Sequence, residues 1–359
     1  MLSWKRLTFT FPPSSFFSEE HVMLDDLKAA CPDCSEFDRR GFISAVGGTV
    51  AALTLPAVAR AADDKSSTTK AVDPAEEMVK ELYKSLSEDQ KKDLVYPWDH
   101  GGANPTRLQM VNAAHFGKKI GTSYTKAQQD LNHKIIKAIS SGEEGYRRIS
   151  REGKWDGSGS FEGCGAVIFG EAVAGKQFSW VFTGHHLTVR CDGNSEPGAG
   201  FGGQMYYGHS PNGWSPNNVW FYQTKAVVSV YDALNADQRK KALIKGKSPG
   251  EGAGSVKLKP APEVRPGVGY GELTADQKKL VEQVMRTIID PFRKEDGDEV
   301  MDIVKSNGGL DKMNLAFYED AAMNDNQKWH FWRLEGPGFV WNYRILPHVH
   351  TFVNVSSKI

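Results

Sequence analysis

The sequence predicts an α+β protein, an antiparallel sheet or sheets with capped helices packed against them, folded as one compact domain. Two groups of short strands lie far apart in the chain, each joined internally by connections too short for parallel pairing. Four segments open with the same helix-capping device, and helical stretches fall before and between the strand groups.

The capping segments are Ser87-Glu88-Asp89-Gln90, Thr125-Lys126-Ala127-Gln128, Asn235-Ala236-Asp237-Gln238 and Thr274-Ala275-Asp276-Gln277. In each, a short polar side chain precedes Gln by three, so the cap oxygen can accept from a free backbone amide while Gln reaches back. Leu86, Leu234 and Leu273 sit one residue before three of these caps, placed for a hydrophobic staple. Helices are predicted over 74–86, 88–95, 126–140, 236–245 and 275–289, with shorter ones over 145–151 and 297–305. Leu280, Val284 and Ile288 form one apolar stripe. The intervals between caps are unequal, which predicts repeated local chemistry and no repeat architecture.

The first strand group covers 164–169, 177–182 and 186–191. The second covers 328–335, 338–344 and 348–355, with Gly336-Pro337-Gly338 as a tight turn. Between the groups, 198–220 is rich in Gly, Tyr, Trp and Asn and predicts either a binding loop over the sheet or, by preference, an ordered excursion packed by its own aromatics. Pro and Gly over 245–270 predict a connection with little regular structure.

Composition bounds the partners. Lys plus Arg and Asp plus Glu both number 44, so the chain has no polyelectrolyte character and nucleic acid is not expected to bind it. The string Gly246-Lys247-Ser248-Pro249-Gly250 lies in a Pro- and Gly-rich stretch without the strand-turn-helix context of a nucleophile elbow, and no phosphate-binding loop occurs.

Asp38-Arg39-Arg40-Gly41-Phe42-Ile43, an apolar stretch over 45–57 and Ala59-Arg60-Ala61 make the pattern of a twin-arginine export signal. The expected organisation is a leader over 1–61, with Met23 as an alternative start, a polar tether over 62–72 and a single domain over 73–359. The apolar run is shorter than the ~20 residues that cross a bilayer and is broken by Gly47, Gly48 and Pro56, so no stable membrane span is expected after cleavage. The expected partner is the twin-arginine export machinery and the expected location periplasmic or extracellular. That route carries folded proteins, often with a cofactor inserted, which favours a metal.

Cys31 and Cys34 form a Cys-x-x-Cys pair inside the leader; no second pair completes a zinc site. Cys164 and Cys191, in the body of the chain, are either a disulfide, which an oxidising compartment permits, or two buried free thiols.

The candidate site rests on histidines. His348 and His350, two apart on a strand, share one face. Gly184-His185-His186-Leu187 can supply a third nitrogen if the sheet brings the segments together. By alternation His186 shares a face with Thr188 and Arg190, whereas His185 follows Leu187 and Val189 into the core, so His186 is the preferred third ligand and His185 a buried, hydrogen-bonded ring. The expectation is a divalent transition metal, zinc or copper, held by His348, His350 and one or both of His185 and His186. Glu335 or Arg333, at the end of the adjacent strand, would orient a ligand or carry a proton. Two functions follow: a hydrolase or oxidoreductase acting on an extracytoplasmic small molecule or polymer, or a non-catalytic binding or structural protein in which the same histidines only pack.

Gly184-His185-His186-Leu187-Thr188, Arg333-Leu334-Glu335-Gly336-Pro337 and His348-Val349-His350-Thr351, in this order and spacing, together with the capped helices and Gly145-Tyr146, resemble the domain-of-unknown-function-3500 family. The resemblance spans 74–355. It implies the fold and the importance of those histidines and names no reaction.

Overall fold

The computed structural model describes residues 74–260, 264–319 and 328–358, so the expected leader, tether and export signal lie outside the described residues. These residues form an α+β domain of nine helices and one eleven-stranded, mostly antiparallel sheet. The helices are α1 (Pro74–Ser85), α2 (Glu88–Leu94), α3 (Ile120–Ser123), α4 (Lys126–Ala138), α5 (Gly142–Ile149), α6 (Phe221–Ala233), α7 (Ala236–Ala242), α8 (Ala275–Ile289) and α9 (Lys294–Ser306). The strands are β1 (Val95–Tyr96), β2 (Gly165–Gly170), β3 (Phe178–Gly184), β4 (Leu187–Cys191), β5 (Met205–His209), β6 (Leu243–Lys245), β7 (Val268–Gly269), β8 (Asn314–Glu319), β9 (Phe331–Gly336), β10 (Phe339–Arg344) and β11 (Val349–Val355).

All four predicted caps form full capping boxes, at Ser87, Thr125, Asn235 and Thr274. Their glutamines also pair with one another. Gln90 Nε2 donates to Gln128 Oε1 at 2.8 Å and Gln128 Nε2 donates back to Gln90 Oε1 at 3.1 Å; Gln238 and Gln277 repeat this at 3.0 and 2.8 Å. The partners are 38 positions apart in the first pair and 39 in the second.

This corrects the expectation of no repeat architecture. The sheet order is β1-β2-β3-β4-β5-β11-β10-β9-β8-β6, with β7 pairing β8 off this path. From either edge inward the order is the same: a short strand after a capped helix lies parallel to its neighbour, β1 on β2 and β6 on β8, followed by an antiparallel series. The two series meet where β5 pairs with β11. The informative interval is therefore the one between the two caps of each half.

β5 also corrects the reading of 198–220 as an excursion. Met205-Tyr206-Tyr207-Gly208-His209 is a fully buried central strand that joins the two predicted strand groups into one sheet. Helix α6 and strand β8 carried no sequence prediction; β6 replaces the last three residues of the helix predicted over 236–245, and β7 lies in the stretch 245–270 predicted to have little regular structure.

One face of the sheet holds the main core. Trp180, Phe182, Tyr207, Trp332, Trp341 and Val353 pack there with the buried stripes of the helices, such as Val281, Val284 and Ile288 of α8. The opposite face is covered by the connections around Met110 and Val256, over a small cluster of Tyr206, Val340 and Phe352. Buried polar side chains stand among these apolar patches, including Thr188, Arg190, Arg333, Asn342 and His350. Register places His350 opposite Arg344 on one side and Gly208 on the other, so the histidines belong to this second face.

Cys164 and Cys191 are both free and buried, so the disulfide does not form. Cys164 lies against Gly184 at one end of β3, whereas Cys191 pairs with Trp180, four residues back along that strand. Four residues of strand span about 13 Å, beyond the ~7 Å that Cα atoms of a bridge can tolerate. Among the described residues no helix is long and apolar enough to cross a membrane.

Candidate metal centre

β3 and β4 are joined by a two-residue turn, His185-His186, so β4 begins at Leu187, one residue later than predicted. His186 has φ of 59°, a left-handed conformation that His adopts more readily than most residues. The turn is bound at every backbone polar group. His185 N donates to Ser158 Oγ at 2.8 Å and His186 N to Asn112 Oδ1 at 2.6 Å. The His185 carbonyl accepts from buried Arg151 Nη2 at 2.9 Å, and the His186 carbonyl from Gly208 N at 3.0 Å. A turn with no free backbone donor or acceptor fixes where its side chains stand.

His348 precedes β11 by one residue and His350 is its second residue, so both rings project from the same face. Gly208 on β5 makes room for them: a Cβ there would lie 2.5 Å from the Val349 carbonyl oxygen, 3.1 Å from His350 Cδ2 and 3.2 Å from His186 Cβ. The three rings converge. Nε2 of His348 is 2.9 Å from Nε2 of His350 and 3.2 Å from Nε2 of His186, and the His186 and His350 nitrogens are 3.0 Å apart.

Carboxylates decide which nitrogen of two of the rings carries the proton. His186 Nδ1 lies 2.8 Å from Asp156 Oδ2, and His350 Nδ1 lies 3.0 Å from Glu251 Oε2. Each Nδ1 therefore donates, and the Nε2 lone pairs of His186 and His350 face each other. His348 can donate to only one of them. At least one nitrogen contact at about 3 Å is thus left without a hydrogen unless a cation occupies the point where the three meet.

A proton is a poor occupant. Burial holds His186 and His350 well below the ordinary imidazole range. Burial and the Arg344 charge hold His348 down to about 2. Asp156 stays ionised beside them: burial acts to raise its pKa, but the hydrogen bond from His186 and the Arg151 charge outweigh it and leave the carboxyl at about 2. Arg151 Nε and His209 Nε2 each stand 3.6 Å from its oxygens.

The arrangement could hold a metal ion through His186, His348 and His350. Tetrahedral ligands ~2.1 Å from an ion lie about 3.4 Å apart, so the rings need to open by only a few tenths of an ångström. Among the described residues no fourth His, Cys, Asp or Glu joins these three. The carboxylates on the outer nitrogens of two rings are the usual supports of metal-bound imidazole, fixing tautomer and ring orientation.

His185 stands outside the triad. Its Nδ1 accepts from Gly157 N at 2.9 Å, and it groups with Asp156 and His186. Arg333 and Glu335 are not brought to the centre either. They form a buried pair at 2.7 Å on β9, two strands from β11, and Arg333 also donates to the Ser255 carbonyl at 2.6 Å and to Asn342 Oδ1 at 3.0 Å. They pair with each other and with β10 and the connection that carries Ser255, and neither contacts the histidines, which corrects the expectation that they serve them. Sequence reading missed Asp156, Glu251 and Asn112. Asp156 lies in a Trp-Asp-Gly turn and Glu251 in a Gly-rich connection, and nothing in either stretch marks a partner 30 or 99 positions away.

A cleft of about 1320 Å³ opens at the other end of β4 and β5, lined by residues such as Cys191, Asp192, Phe292 and Glu299, and touches none of the three histidines. No curated protein and no solved structure matches the chain. A family model described as protein of unknown function (DUF3500) matches residues 68–356. The chain, with its paired caps and three-histidine centre, belongs to that family.

Proposed function

We propose that this protein is an exported, metal-dependent hydrolase whose mononuclear centre is His186, His348 and His350, with zinc as the ion. The observation that carries this reading is the convergence of three neutral imidazoles, two of them backed by carboxylates, with no fourth protein ligand among the described residues. Three nitrogen ligands and an open position are the pattern of catalytic rather than structural zinc, and the absence of thiolate from the set disfavours soft-metal sites. Such an ion supplies Lewis acidity and lowers the pKa of a bound water towards neutrality. The chain's own residues do the rest. Asp156 and Glu251 hold the rings in the ligating tautomer, and Glu251, about a third exposed, links the buried cluster to solvent. Copper in the same ligands would make the protein an oxidoreductase instead, so the identity of the ion separates the two chemistries.

Export through the twin-arginine machinery to the periplasm or beyond is part of this reading and rests on Arg39-Arg40 and the apolar stretch behind them. The substrate is then an extracytoplasmic small molecule or polymer.

The near-complete burial of the three rings supports a second reading, a non-catalytic protein in which the centre is structural. Metal analysis of protein purified without a His tag tests both. The proposal expects about one equivalent of zinc, lost in a His348→Ala/His350→Ala variant together with hydrolysis of test esters. Zinc retained with no hydrolysis supports the structural reading, and metal-free wild-type protein ends both.

A further inference from the structure

Beside the three histidines stands a cation with an unused donor. Arg344 is the last residue of β10 and pairs across the ladder with His350. Its guanidinium is almost fully committed. Nε donates to the His348 carbonyl at 3.2 Å, and Nη1 lies 2.5 Å from Glu251 Oε1, whose other oxygen holds His350 Nδ1. Nη2 is buried and has no partner. A buried guanidinium N–H left unbonded is costly, and arginines are placed this way where an oxyanion is to be received.

Charge points the same way. Arg151 balances Asp156 and Arg344 balances Glu251, and the imidazoles are neutral. A divalent ion at the centre therefore brings two positive charges that no side chain here offsets, in a place from which water is largely excluded. An anionic oxygen ligand relieves this. Among the described residues Arg151 Nε and His185 Nε2 are also unpartnered, but both stand on the Asp156 side, where Arg151 faces a carboxylate at 3.6 Å, whereas Arg344 Nη2 belongs to a guanidinium already bonded to the His348 carbonyl. Nη2 shares an edge of the guanidinium with Nε, which is already turned to His348.

Resting on the metal reading above, we infer that the substrate of this centre carries a carboxylate, and that Arg344 Nη2 binds it. Glu251 is the built-in competitor. Its carboxylate already occupies the Nη1 side, so a substrate carboxylate takes the remaining donor against a neighbouring negative charge. Removing that charge strengthens carboxylate binding, and removing Arg344 weakens it.

The test uses the full mature chain loaded with Co²⁺, with acetate as the probe and the visible d–d bands as readout. Wild-type protein is expected to show a saturable spectral change. Arg344→Gln is expected to keep one equivalent of cobalt and to bind acetate at least tenfold more weakly; Glu251→Gln, which also loses the support on His350 Nδ1 and is therefore read with Co²⁺ raised to full occupancy, is expected to bind acetate several-fold more tightly. Cobalt retained in Arg344→Gln with acetate affinity within twofold of wild type overturns the inference and leaves the metal centre standing. If Arg344→Gln does not fold, Glu251→Gln decides: unchanged acetate affinity overturns the inference. If the wild-type chain binds no cobalt, the metal reading fails by itself. Calorimetric titration of acetate into the metal-free wild type and variants then decides the Arg344 claim, with weaker binding in Arg344→Gln supporting it and equal or absent binding overturning it.

Discussion

The Nε2 atoms of His186 and His350 lie 3.0 Å apart although 164 positions of chain separate the two residues. Their meeting depends on β5, which pairs with β4 on one side and β11 on the other, and on the missing side chain of Gly208 between them.

Gly208→Ala is therefore expected to damage the centre more than the fold. The new Cβ would stand 2.5 Å from a backbone oxygen, which cannot give way as a flexible side chain would. Overpacking of this kind costs about 1–3 kcal/mol. Thermal unfolding should show that loss, and metal content should fall well below one equivalent; a variant with wild-type metal content would show that the close approach is not needed.

Asp156→Asn keeps the shape of the side chain and removes its charge. Asn can present an N–H to His186 Nδ1, which turns the ring to the tautomer with hydrogen on Nε2. Loss of such a support typically weakens metal binding by about 10–100-fold. Competition with a chelator measures this, and an affinity equal to wild type would detach Asp156 from the centre.

The metal-free protein should be acid-sensitive. Folding holds the three rings below their unfolded value of ~6.5, so the unfolded chain takes up protons below that pH while the folded chain does not. Their contribution is fully present above pH ~6.5 and is lost as pH falls through the folded values, at up to about 1.4 kcal/mol per pH unit for each ring. Urea midpoints at pH 7.5, 6.5 and 5.5 should fall modestly over the first interval, as the unfolded rings become half protonated at pH ~6.5, and about three times as far over the second. His348→Gln should flatten that fall by about one proton's worth. A wild-type midpoint that holds steady to pH 5.5 would contradict the burial of the rings as neutral species.

The paired amides give a control far from the centre. Gln128→Ala removes a cap partner, leaves the Gln90 amide only its bonds to Ser123 and Ser87, and frees the Ser85 carbonyl that Gln128 also holds. A loss of about 1–3 kcal/mol is expected, with metal content unchanged. Double-mutant cycles on Gln90 with Gln128 should show coupling beyond the single losses, and strict additivity would reduce the pair to two independent caps.

Much of this was legible in local sequence. A capping box is written within four residues, and all four were found at their predicted starts. The shared face of His348 and His350 follows from the period of a strand. What escaped was long-range. Met205-Tyr206-Tyr207-Gly208-His209 is buried on both faces, so it lacks the alternation that marks a half-exposed strand, and its Gly and flanking turn residues mimic a loop. Arg333 and Glu335 looked available because charge suggests function, but two charges two apart on one strand face can satisfy each other. Asp156 and Glu251 act through partners fixed only by the fold. The likeness of the two halves was visible as nearly equal spacings within each half and was obscured by averaging over all four caps.

The proposed centre requires an ion seated among His186, His348 and His350. X-ray absorption at the zinc edge of untagged, zinc-replete protein addresses this directly. The predicted spectrum has three imidazole nitrogens at ~2.0–2.1 Å with one further light-atom ligand. A spectrum without imidazole scattering, or one unchanged by His348→Ala/His350→Ala, would contradict it.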